Sequence, residues 1–196
     1  MSKSVDFYFD FGSPASYLAH TQLPRIAAET GAALHYKPVL LGGIFQATGN
    51  SPPATVPAKG RWMFHDLERF AARYRVPMAF NPFFPINTLQ LMRGASGLQL
   101  RQPERFPAYV DAVFRGMWVD KLNMGDPAVL GALLVKAGFE PQALLALTAD
   151  AEVKERLKTD TAAAVARGLF GAPTMFVGQE MYFGLDRLDF VREALA

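Results

Sequence analysis

In the stretch Gly12-Ser13-Pro14-Ala15-Ser16, two hydroxyls stand three positions apart where an apolar run gives way to a helical pattern. Thiol-handling proteins often carry C-x-x-C at such a turn, yet this chain of 196 residues contains no cysteine. Disulfides, thiolate metal sites and cysteine nucleophiles are thereby excluded, and any thiol chemistry needs a sulfur from outside the chain. A hydroxyl at a helix start has two physical uses. It caps the helix by accepting an N–H, the ordinary role of a Ser before Pro. It can also donate to an anion drawn there by the partial positive charge of the helix end. Moving a thiol pKa from ~8.5 towards neutrality needs only a few kcal/mol of preference for the thiolate.

Other chemistries find little support. His20, His35 and His65 show no ligand spacing, so no metal is implied. Gly12-Ser13-Pro14-Ala15 is not the G-x-S-x-G elbow of hydrolases, and neither a Walker loop nor G-x-G-x-x-G occurs. With 20 Lys+Arg against 18 Asp+Glu and no basic run, a nucleic-acid partner is not expected. No apolar stretch approaches ~20 residues, so no membrane span is expected. The start, MSKSVDFYFDF, lacks the features of a secretory signal, and a cytoplasmic protein is the expectation.

The elements that must position the turn follow from periodicity. Val5–Phe11 alternates as a buried strand with Asp6 and Asp10 on one face, and a helix runs from Pro14 to about Gly31. Ala32–Leu41 reads as a second strand, its Pro38 pointing to an edge or a strand end. Gly42-Gly43 and Gly49–Pro57 read as loop. Helical patterns follow at Lys59–Tyr74, Asn87–Leu100, Pro103–Trp118, Pro127–Ala137, Pro141–Thr148 and Asp150–Leu169. Strands return at Pro173–Val177 and Met181–Phe183, and Asp186 opens a final helix through Leu195. The expectation is a split α/β domain, 1–42 with 168–196, interrupted by a helical insertion at 43–167.

Five segments in this order resemble a known family: VDFYFDFGSPASYLA (5–19), GGIFQATGNSPPATVPAKGRWMFHDLERFA (42–71), RVPMAFNPFFPINTL (75–89), GLFGAPTMFVG (168–178) and FGLDRL (183–188). The chain resembles the 2-hydroxychromene-2-carboxylate isomerases, relatives of the kappa-class glutathione transferases and bacterial disulfide oxidoreductases. That resemblance implies a thioredoxin-like fold with a large all-helical insertion, and glutathione as the missing thiol.

Residue by residue, the resemblance makes Ser13 the group beside the glutathione sulfur and Ser16 a structural residue. It makes Ala172, before a cis Pro173, a backbone partner of glutathione, and Leu185-Asp186 the site of its γ-glutamyl end. Leu185 stands where relatives often carry a polar residue, so any contact there is through backbone. Asn50, otherwise a turn former, is carried over as a bridge to glutathione. Lys59, Arg61, Phe84 and Asn87 are candidate substrate-binding residues, with Phe45, Trp62, Phe83 and Trp118 as further candidate aromatic walls. The implied activity is a glutathione-dependent cis–trans isomerisation between 2-hydroxychromene-2-carboxylate and trans-o-hydroxybenzylidenepyruvate, a small aromatic carboxylate. A homodimer is the family expectation. A kappa-like glutathione transferase and a non-catalytic thioredoxin-fold binding protein are the alternatives.

Overall fold

The computed structural model describes residues 3–196. Strand β1 (Ser4–Phe9) lies at the centre of the sheet because its alternation serves two layers, with Val5, Phe7 and Phe9 fully buried. It pairs in parallel with β2 (Ala33–Pro38) and antiparallel with β3 (Thr174–Val177), which pairs antiparallel with β4 (Glu180–Phe183). The order β2-β1-β3-β4 puts β2 at an edge, where Pro38 breaks no ladder on its outer side. Phe7 is the register point, opposite Tyr36 on β2 and Met175 on β3.

Helix α1 (Pro14–Thr30) crosses from β1 to β2 and ends at Gly31, whose φ of 67° is the left-handed conformation that glycine adopts without strain. After β2 come α2 (Leu41–Thr48), α3 (Pro57–Tyr74), α4 (Leu89–Arg101), α5 (Phe106–Trp118), α6 (Pro127–Lys136), α7 (Pro141–Ala149) and α8 (Ala151–Ala166). Helix α9 (Leu188–Leu195) follows β4. This is the α/β arrangement expected, strands at both ends of the chain with helices between them.

One expectation fails outright. Gly42-Gly43 is not loop but the first turn of α2, and β2 stops at Pro38 rather than Leu41. Tertiary bonds override the low helix propensity of glycine here: Leu40 N–H donates to Thr161 Oγ1 and Leu41 N–H to Asp10 Oδ2. Boundaries also shift. The strand expected to Phe11 ends at Phe9, α5 starts at Phe106 rather than Pro103, and α8 ends at Ala166 rather than Leu169. A 3-10 turn, Leu185–Arg187, precedes α9 where Asp186 was expected to open it.

The core joins the sheet to the inserted helices. Phe9 and Phe11 lie 5.7 and 4.8 Å from the ring of Phe114 on α5, and Trp118 Nε1 donates to Phe11 O at 2.8 Å. Each fully buried ring of this kind is worth about 1.5–3 kcal/mol, so the end of β1 is fixed rigidly from behind. On the opposite face a smaller cluster of Val39, Ile44, Ala164, Leu169 and Phe176 seats α2 and α8 on the sheet. Among the described residues no single helix is long and apolar enough to cross a membrane.

Candidate functional site

The site forms where β1 runs out and α1 begins. Ser13 is the N-cap residue, extended at φ −101° and ψ 110°, and its Oγ accepts Ser16 N–H at 3.1 Å. Its N–H donates to Asp10 O at 3.0 Å. The Ser13 hydroxyl itself donates to Ala172 O at 2.9 Å, reaching across 159 residues of sequence. One hydroxyl therefore closes the helix and ties it to the segment before β3. Pro14 supplies the first helical position and no acidic residue lies in the first turn. Ser16 is fully buried, and its Oγ finds no hydrogen-bond partner among the described residues.

Asp10 holds the turn from beneath. It is 1% exposed, and its carboxyl accepts Gly12 N–H and Leu41 N–H, each at 2.8 Å. Burial raises its pKa above the ordinary 3.8, opposed by the two backbone bonds and a bond from Thr88. Three segments are thus pinned to one side chain: the Ser13 turn, the start of α2 and the residue preceding α4.

In front of Ser13 lies a cleft of about 400 Å³. The α1 end forms its floor with Gly12, Ser13, Pro14 and Ala15, and Leu41 and Phe45 of α2 form one wall. Residues 50–54, Met63 and Phe84 close one side, while 170–173, Phe183 and Gly184 close the other. Asn50 clasps the two sides, its Nδ2 donating to Phe170 O and its Oδ1 accepting Ser51 N–H, both at 2.8 Å. The rings of Phe170 and Phe183 lie tilted at 4.6 Å, and a Cβ at Gly171 would come within 2.7 Å of the Phe183 ring, which would have to move. Ala172-Pro173 and Phe84-Pro85 are cis. Larger hollows occur over β2, about 700 Å³, and between α2, α4 and α8, about 650 Å³, but neither faces the Ser13 turn.

Of the residues singled out from sequence, the cleft brings together Ser13, Asn50, Ala172 and Phe84, with Phe45 beside them. Leu185 is buried just behind Gly184, and Asp186 is exposed next to it, paired with Arg187 at 3.3 Å. Lys59 and Arg61 are exposed on α3 outside the lining, as is Asn87, whose Oδ1 accepts Leu89 N–H at the start of α4. Trp118 is fully buried in the core, and Trp62 and Phe83 are 63% and 51% exposed outside the cleft. His20 packs on Phe114 and bonds Tyr36 and Asp111, away from the cleft. Sequence reasoning missed Thr88, Phe170 and Phe183, and saw Asp10 only as one face of a strand. A buried acid three residues before the cap was the available signal for Asp10.

Comparison with known proteins gives the family of this fold. Residues 4–196 match the model of the DSBA-like thioredoxin domain. A 2-hydroxychromene-2-carboxylate isomerase of Sphingobium xenophagum is 34% identical, covering 100% of this chain and 99% of that protein. Human glutathione S-transferase kappa 1 is 30% identical over 100% of this chain and 92% of its own length. The solved structure of a 2-hydroxychromene-2-carboxylate isomerase superposes with a TM-score of 0.86 at 30% identity, covering 98% of this chain and 94% of that one.

Proposed function

The chain belongs to the DSBA-like thioredoxin family and, within it, to the 2-hydroxychromene-2-carboxylate isomerases, and we propose that it isomerises 2-hydroxychromene-2-carboxylate to trans-o-hydroxybenzylidenepyruvate with glutathione. The observation that carries this reading is the Ser13 hydroxyl, held at a helix N-terminus with no acid in the first turn and facing an uncharged cleft.

The residues present fit glutathione. Ala172 O takes its hydrogen bond from the Ser13 hydroxyl, and Ala172 N–H has no partner among the described residues, so an extended peptide can pair with both. When bound, glutathione supplies a thiolate that adds to and leaves the conjugated substrate, so that a fixed double bond becomes a rotatable single bond. With glutathione bound, the Ser13 hydroxyl would donate to the sulfur and favour its thiolate form, and the α1 end would add its partial positive charge. Asn50 orients the peptide from one wall. The Leu185 backbone and the Asp186 carboxylate receive the γ-glutamyl end, Asp186 exchanging its Arg187 partner for the ligand's ammonium group.

Phe84, Phe45 and Met63 hold the aromatic body of the substrate against the sulfur, which is the positioning contribution. Lys59 lies one helical turn before the lining residue Met63 on α3. Arg61 and Asn87 lie outside this arrangement. A cytoplasmic location, where reduced glutathione is plentiful, and a homodimer complete the reading.

Mixing protein, glutathione and 2-hydroxychromene-2-carboxylate and following absorbance tests it. Turnover lost in Ser13→Ala supports the reading, whereas equal turnover in that variant overturns it. Retention of sulfur on the product would instead identify the transferase activity named for the kappa relatives.

A further inference from the structure

Among the described residues, the lining of the cleft carries no ionisable side chain. Its residues are glycines, prolines, alanines, Leu41, Met63, four phenylalanines and the neutral polar groups of Ser13, Asn50 and Ser51. The nearest charge along the chain on the β4 side is Asp186, an anion, and Lys59 is exposed on α3 outside the lining. Glutathione brings two carboxylates of its own to compete for that lysine. A substrate carboxylate pushed among Phe45, Phe84, Phe170 and Phe183 would lose water and gain no counter-charge. The neutral hydroxyl of Ser51, which makes no side-chain hydrogen bond among the described residues, suits a carbonyl oxygen better than an ion.

Resting on the glutathione reading above, we infer that the site recognises its electrophile as an uncharged aromatic conjugated carbonyl, and that the carboxylate contributes nothing to recognition. The class of substrate extends to neutral esters, ketones and aldehydes of the same aromatic skeleton. The bond changes are the same for each. The hemiketal ring opens first: its C–O bond breaks, the ring oxygen takes the hemiketal proton as a phenol, and the conjugated carbonyl is freed. The thiolate then forms a C–S bond to the carbon β to that carbonyl, as the C=C pair shifts between the α-carbon and the carbonyl carbon and the C=O pair moves to oxygen. After rotation these pairs return, the C–S bond breaks, and no proton or electron is gained or lost.

The test compares the natural acid with its methyl ester, each rate normalised to the uncatalysed reaction with glutathione. In parallel, calorimetry measures binding of saturated, unreactive analogues of both to the glutathione-loaded protein. The inference predicts that ester and acid agree within about threefold in both readouts, and that Lys59→Ala shifts neither apart from the other. A preference for the acid above about tenfold, abolished by Lys59→Ala or by salt, overturns it. Turnover of the acid but not the ester also overturns it while leaving the isomerase reading intact. Absence of turnover with both removes the isomerase reading, and the binding ratio still decides this inference.

Discussion

The N-termini of α1 and α8 are both closed by a capping side chain, but with opposite electrical outcomes. At α8, Asp150 accepts Glu152 N–H at 2.8 Å and Val153 N–H at 3.1 Å, and Glu152 adds a second acid to the first turn. Helices α6 and α7 follow the same pattern with Asp126 and Glu140. Their positive ends are neutralised on the spot. At α1 the cap is neutral Ser13, the first turn carries no acid, and the cleft beyond is uncharged. The field of α1 is left for an incoming anion. The difference separates a helix end that serves stability from one that can also serve a thiolate.

Four changes break or sharpen that contrast, from largest effect to smallest. Ser13→Ala is expected to lower kcat/KM by about 10²–10³, the range for removing one donor to developing or resident negative charge. The lost cap costs only about 1 kcal/mol, so urea unfolding separates the two effects. Ser13→Asp, which makes α1 resemble α8, should reduce activity by a similar factor and weaken glutathione binding by about tenfold in calorimetry. Retained activity in that variant would show that the contrast has no catalytic meaning.

Asp10→Ala strands two part-buried N–H groups, those of Gly12 and Leu41, and is expected to cost about 2 kcal/mol in urea unfolding. Asp10 also gives stability a pH dependence. Burial raises its native pKa above 3.8, so the native state keeps this proton to higher pH than the unfolded chain. The contribution is complete below pH 3.8 and is lost as pH rises through the raised native value. Relative to Asp10→Asn, the wild type should be better placed at acid pH than at neutral pH. A constant gap in urea midpoints would contradict this. Asp150→Ala, the smallest change, is expected to cost about 1 kcal/mol of stability and to leave kcat/KM within about twofold.

Much of this was legible because it is local. The alternation of Val5–Phe9 gave β1, and the Pro14 start and Gly31 stop gave α1. The Ser13 cap is visible for the same reason, since its partner Ser16 is three residues away. What escaped depends on distant partners. Helix α2 hides behind Gly42-Gly43 because Asp10 and Thr161, far away in the chain, hold its first N–H groups. Phe170 and Phe183 become a wall only when β3 and β4 form a hairpin beside Gly171. Asn50 read as a turn former, and its Nδ2 bond to Phe170 O spans 120 residues. Trp118 was a candidate pocket wall of a residue type more often found in the core, and the Phe11 carbonyl that receives its N–H holds it in the core.

The most direct test of the central claim is the titration of the glutathione thiol on the protein, followed by thiolate ultraviolet absorbance against pH. With wild type, the bound thiol is predicted to ionise at least about one pH unit below its free value near ~8.5, and the shift is predicted to vanish in Ser13→Ala. A bound thiol that titrates like the free one, or the same shift in both proteins, would contradict the assignment of Ser13.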